Sequence, residues 1–207
     1  KMDARAGEQT HESVAWLVAE SGTHTIGGRK VVAGLRNGVH GRSWTTVSFD
    51  HGGFADGANP AILSQIQNAG REDYFVNLRH RRADHDSFQV RAQGVQNGRP
   101  KGFEVVGYIA VETGRGRGAG GRAFVADVTG ATVSHATRFV MLGHDFKSVQ
   151  YGLFGSLHSS RGFDAASLRY RRKQGHRFSV FIDEDTCTGA STRQTSEKVA
   201  YLAVAVG

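Results

Sequence analysis

Two basic stretches stand at matching places in the chain. Leu78-Arg79-His80-Arg81-Arg82 and Leu168-Arg169-Tyr170-Arg171-Arg172 are 90 positions apart. Both read as strands, on which successive side chains point to opposite faces. With Leu78 and His80 turned inward, Arg79 and Arg81 share one solvent face. With Leu168 and Tyr170 inward, Arg169, Arg171 and Lys173 do the same. A guanidinium is a planar fork that takes a carboxylate or sulfate bidentately, so a row of them suits a polyanion. The plainer reading is a solvated face, or arginines that keep a sheet edge from pairing with another chain. The formal net charge of +7 and a pI near 9.9 also favour an anionic partner: nucleic acid, an acidic lipid surface, or an acidic or sulfated polysaccharide.

Other chemistry is thinly represented. Asp84-His85-Asp86, with His80 nearby, reads as a polar hairpin turn rather than a set of three or four converging metal ligands. Asp183-Glu184-Asp185 offers carboxylates that suit calcium; no other cofactor is indicated. Cys187 is the single cysteine, in Thr186-Cys187-Thr188-Gly189, with no adjacent histidine. It forms no disulfide framework and reads as a bystander thiol. Gly155-Ser156-Leu157 is not a nucleophile elbow, and no phosphate-binding loop or dinucleotide fingerprint is present. We therefore expect no catalysis.

The elements that must carry the arginines are strands. A short apolar stretch is written three times: Glu12-Ser13-Val14-Ala15-Trp16-Leu17-Val18-Ala19, Glu104-Val105-Val106-Gly107-Tyr108-Ile109-Ala110-Val111 and Glu197-Lys198-Val199-Ala200-Tyr201-Leu202-Ala203-Val204. The leading glutamates are 92 and then 93 positions apart. Such a period marks a repeated module. With 28 Gly, 2 Pro and no sustained 3.6-residue period, the chain reads as all-β. Trp16, Tyr108 and Tyr201 are expected in the core. Trp44-Thr45-Thr46-Val47-Ser48-Phe49 alternates strictly, which buries Val47 and Phe49 and leaves Trp44 outward as a stacking platform. The boundaries that follow are 1–20 (the tail strand of an upstream module, or a strand lent to one of the modules here), 21–113 and 123–207 (two β-sandwich modules), and 114–122 (a Gly/Arg linker). That linker can be a solvated connector or a basic segment for nucleic acid; nucleic acid is the less favoured partner, because the aromatic ladder such sheets carry is missing. No apolar run is long enough to span a membrane.

The order Trp44 to Phe49, Phe54, Pro60, Leu78-Arg79, Ser87-Phe88-Gln89-Val90 and Val106-Gly107-Tyr108-Ile109-Ala110 resembles the H-type lectin module of snail agglutinins and of the C-terminal part of discoidins, and its bacterial tandem-repeat relatives. A looser match continues through Leu168-Arg169, Phe178-Ser179-Val180 and Val199-Ala200-Tyr201-Leu202-Ala203. The resemblance implies a six-stranded antiparallel sandwich, sugar binding and trimeric assembly. It implies sugar-binding roles for Arg79 or Arg81 and for Arg169 or Arg171. A second group of sugar contacts would fall near Arg91 and Gln93, and near Asp183 and Glu184. Residue pattern and resemblance together give one expectation: a non-catalytic, secreted pair of modules that binds an acidic or sulfated polysaccharide. A catalytic domain in the same parent chain is a possible partner. The alternative is a structural or adhesin repeat of a bacterial surface protein.

Overall fold

A computed structural model describes residues 14–49, 52–68, 76–94, 102–143, 146, 150–162, 165–184 and 195–206. Its strands pair antiparallel throughout. The first half holds β1 (Gly22–Ile26), β2 (Arg29–Val39), β3 (Thr45–Ser48), β4 (Ala61–Ile66), β5 (Val76–Arg81), β6 (Ser87–Gly94) and β7 (Glu104–Val111). The second holds β8 (Gly114–Arg117), β9 (Ala123–Val128), β10 (Arg138–Met141), β11 (Gln150–Leu157), β12 (Ala166–Gln174), β13 (Arg177–Glu184) and β14 (Val199–Val206). Four-stranded sheet β1-β2-β7-β4 faces three-stranded sheet β3-β6-β5. In the same way β8-β9-β14-β11 faces β10-β13-β12. Among the described residues each half thus shows seven strands, against the six that the lectin resemblance implies. Among the described residues no helix is long and apolar enough to cross a membrane.

Three apolar layers hold the stack. Val32, Ile62, Phe88, Val106 and Tyr108 fill the first sandwich, and Leu142, Phe178, Ile182, Val199 and Tyr201 the second. The third layer, with Val31, Leu63, Val111, Phe124, Ala126 and Leu202, lies between the two four-stranded sheets. Those sheets are therefore covered on both faces. This explains why β7 and β14 read as continuous apolar runs instead of alternating ones. Val106, Tyr108 and Ala110 point into their own sandwich, while Val111 and Ile109 point at the other. Tyr108 and Tyr201 are buried as expected.

Three expectations are corrected. Trp16 is 80% exposed, and residues 14–20 pair with no strand among the described residues. The Gly/Arg stretch is not a free linker: Gly114–Arg117 is β8, paired with β9, and Ala119–Gly121 is a 3-10 turn. Its glycines allow the tight hairpin, and Arg115 donates to the Leu142 carbonyl at 2.7 Å. Tyr170 is exposed rather than in the core: it lies opposite the inward Val180, but β12 is the edge strand of its sheet, and the bulge that follows it affects the residues beyond, placing Lys173 opposite Phe178.

The junction between the sandwiches also contains polar groups. Asn77 and Ser167 occupy the same place in the two repeats, and Asn77 Nδ2 donates to Ser167 Oγ at 2.9 Å. When like residues of two copies meet, the copies are related by a local two-fold rotation. Nearby, Ser64 N donates to Ser156 Oγ at 3.1 Å. Arg79 is 0% exposed, and its Nη2 lies 2.5 Å from Glu197 Oε1. Glu197 also accepts from Ser159 Oγ, from Arg161 N at 2.8 Å and from Gly162 N at 2.9 Å. Burial pushes the Arg79 guanidinium down, Glu197 opposes this, and Arg91 adds to the depression. The two-fold relation is broken here. Glu104, the counterpart of Glu197, is buried but has no carboxylate partner among the described residues. Arg169, the counterpart of Arg79, is largely exposed.

Two histidines sit beside this pair. His80 is fully buried against Phe88, with Nε2 at 2.7 Å from Ser64 Oγ. The buried His158 ring of the other sandwich is centred 6.2 Å away. Burial first, then His158 and Arg79, hold His80 down at about 3. Burial and Lys198 hold His158 at about 4.

Glu197→Ala strands the Arg79 cation, and we expect it to cost about 3–5 kcal/mol in urea unfolding. Arg79→Met combined with Glu197→Leu should recover part of that loss. Both histidines are depressed in the folded state, so the unfolded chain binds more protons below its ordinary imidazole value. Stability should thus be full above about pH 6.5 and fall toward pH 4, with a slope of about 1.4 kcal/mol per pH unit per histidine. His80→Gln should flatten the slope in urea titrations across that range.

Candidate functional site

The outer face of β3-β6-β5 is set by register. Thr46 lies opposite Gln89, Arg79 opposite Arg91 and Arg81 opposite Gln89. Phe88 and Val90 point inward, so Gln89 and Arg91 point outward. Trp44 precedes β3 by one residue and falls on the same side as Thr46. The structure thereby brings Trp44, Arg81 and Arg91 together. The Arg81 guanidinium carbon is 4.3 Å from the indole ring centroid and that of Arg91 is 4.7 Å away. Arg81 Nε donates to Gln89 Oε1 at 2.7 Å, and Gln89 Nε2 donates to Thr46 Oγ1 at 3.3 Å. This ladder spans three strands and fixes Arg81 over the ring. Partial desolvation, then the cations Arg82 and Arg91, hold Arg81 below its ordinary value. The cluster concentrates positive charge on a flat aromatic base.

Stacking uses the flat face of a guanidinium, whereas its N–H donors lie in the plane. A cation held over Trp44 can therefore still direct donor edges at an anion. The ring is no bare platform for a sugar, as the sequence suggested, because two side chains already lie against it. Arg79 does not join the row. It has the expected outward direction from β5, but the Ser159 to Gly162 loop and Glu197 of the second sandwich cover it. Gln93 is on the same face of β6, opposite Asn77, and half-buried.

The second sandwich repeats the theme with different residues. Arg169 lies opposite Phe181, and the Arg171 guanidinium sits 4.7 Å from the Phe181 ring centroid. Arg169 Nε is 3.5 Å from Asp183 Oδ2, both side chains being more than half exposed. Arg169, Arg171 and Asp183 are thus together. Lys173 leaves the row: its Nζ donates to the Tyr151 carbonyl at 3.0 Å. Phe181 was not singled out from the sequence, although counting alternation from the inward Phe178 places it outward. Phe139, under Arg177 at 4.8 Å, extends the same face. Asp84 Oδ1 accepts from the backbone of Asp86 and Ser87 at 3.1 and 3.0 Å, so that turn is an Asx-type hairpin cap. Among the described residues no group of acidic, His or Cys side chains is arranged to hold a metal. Asp185, the Glu184 side chain and Cys187 lie outside the described residues, as do Gln9 to Ser13.

No family model matches the chain, and no solved structure does. One curated protein does. Over 196 residues, 92% of this chain, the sequence is 27% identical to halomucin of Haloquadratum walsbyi. The chain spans about 2% of the length of that relative.

Trp44→Ala removes two cation–π contacts worth about 0.5–1 kcal/mol each. We expect urea unfolding to show a loss of about 1–2 kcal/mol. No measurable change would mean that the guanidiniums do not rest on the ring in solution.

Proposed function

We propose that this chain is a non-catalytic pair of β-sandwich modules that binds an acidic or sulfated polysaccharide. The observation that carries the reading is the cation–aromatic cluster of Trp44, Arg81 and Arg91 on one outer sheet. Its echo at Phe181 with Arg171 and Arg169 on the other supports it. Sulfate or carboxylate groups along a polymer would meet donors on both outer faces, and each charge-assisted contact is stronger than a neutral one. The net charge of +7 would steer such a polymer toward the protein. The lectin resemblance is consistent with it but contributes only an analogy of fold.

The likeness to a small part of halomucin supports a place for the chain as a segment of a longer secreted or surface protein. It also favours the second reading, in which the pair acts as a structural or adhesin segment and its arginines serve solubility. Under the first reading, a catalytic domain in the same parent would use the pair as its anchor on the polysaccharide.

Affinity electrophoresis in gels containing dextran sulfate, hyaluronate or neutral dextran separates these readings. Retardation by the charged polymers, and none by neutral dextran, is expected. Arg81→Ala with Arg91→Ala should weaken retardation on the order of tenfold per lost contact of about 1.5 kcal/mol. Added salt should weaken it as well. Asp183→Asn frees Arg169 and should strengthen it. Equal mobility in all gels would leave the structural reading.

A further inference from the structure

Among the described residues, the first copy of the repeated strand is an apolar stretch that joins neither sandwich's sheets. Val14, Trp16 and Val18 are 81%, 80% and 78% exposed. Aligned on the repeat, Val14 corresponds to Val106 and Val199, Trp16 to Tyr108 and Tyr201, and Leu17 to Ile109 and Leu202. Val106, Tyr108, Val199 and Tyr201 are all 5% exposed or less. The stretch is also apolar on both alternating faces, the pattern of a strand covered from two sides.

The chain that follows it supplies an independent observation. β7 leads through Glu112-Thr113 into Gly114 and β8, the first strand of the second sandwich. Residues 14–19 lead through Glu20-Ser21 into Gly22 and β1, the first strand of the first sandwich. Gly114 has φ of 142° and Gly22 has φ of 139°. Both values lie where a side chain is strongly disfavoured. Two glycines, each three residues beyond the closing stretch, share the same rare positive φ. The turn between one module and the next is thus built at Gly22 as it is at Gly114.

We infer that residues 14–19 form the closing strand of a preceding module of this same fold. That module would supply the two strands that flank it, as β2 and β4 flank β7 and as β9 and β11 flank β14. Its small sheet would supply the aromatic pocket for Trp16, as Phe49 and Phe88 pack against Tyr108 at 6.0 and 5.5 Å between ring centroids. In the absence of that module, Ala15 and Leu17 to Ala19 lie at the mouth of a cleft of about 390 Å³, beside Gly34, Tyr108 and Phe154.

Hydrogen exchange followed by mass spectrometry tests this on two proteins: residues 1–207, and the parent chain extended upstream by one repeat of 92 positions. In the shorter protein, amides of 14–19 should exchange freely while those of 104–111 are protected. In the extended protein, 14–19 should gain on the order of a hundredfold protection and approach 104–111. Trp16→Asp in the extended protein should abolish that gain and leave 104–111 unchanged. The inference is overturned if 14–19 exchanges equally fast in both proteins, or if it is already protected in residues 1–207, alone or through self-association. A parent sequence that lacks the module's strand pattern upstream of Lys1 overturns it too.

Discussion

Arg79 and Glu197 must be buried together or not at all, and the arrangement of the two sandwiches depends on that. Removing either ion from water costs several kcal/mol, and their mutual attraction offsets this only when the remaining hydrogen-bonding capacity is also filled. The Glu197 carboxylate meets that condition through four donors: the Arg79 guanidinium, the Ser159 hydroxyl, and the backbone N–H groups of Arg161 and Gly162. One donor comes from the first sandwich and three from a loop of the second. The apolar layer between the sandwiches, from Val31 to Leu202, supplies attraction without direction, because apolar burial is nearly indifferent to small slides. The ion pair supplies the direction. A displacement that kept the apolar layer but separated Arg79 from Glu197 would leave two bare charges in the interior.

The same pair divides strand β5 between two tasks. Arg79 and Arg81 point to the same side, two residues apart. The first is neutralised at the junction and the second rests on Trp44 at the open surface. The surface cluster keeps its positive character because the nearby carboxylate is consumed below it. In the second sandwich the equivalent arginine was not drawn into the junction. Arg169 stays outside and partners Asp183 instead. The two outer faces are therefore related but unequal: cationic over a Trp in one, partly neutralised and more apolar in the other, where Phe139 and Met141 are exposed.

Much of the fold was legible because it rests on local rules. The repeat period, the strand alternation from Trp44 to Phe49 and the burial of Tyr108 and Tyr201 all follow from residue type and spacing. Alternation also put Arg79 on the correct side of β5. What covers that side is 118 positions away in Glu197, and no local rule reports a contact at such distance. The Gly/Arg stretch was misread on composition, although Glu112-Thr113-Gly114 matches Glu20-Ser21-Gly22 and so carries the signal of a hairpin start. Alternation gives Tyr170 its register opposite the inward Val180, but the edge position of β12 leaves the ring exposed; the bulge after it breaks the two-residue period and takes Lys173 off the arginine face. Part of the site was legible too, since Trp44, Arg81 and Arg91 were each singled out. Their contact with one another depends on the register of three strands, and the sequence does not contain that register in any short window.

The continuous apolar character of β7 and β14 carries a further consequence. Each large sheet spends both of its sides inside the stack, and each small sheet spends one. The sides left over carry guanidiniums, so a fifth layer would have to strip water from fixed charges. The stack is thus complete at four layers, and its thickness cannot grow by adding more of the same. Any longer chain made from these modules gets longer without getting thicker, and every unit along it presents fresh charged faces to the solvent.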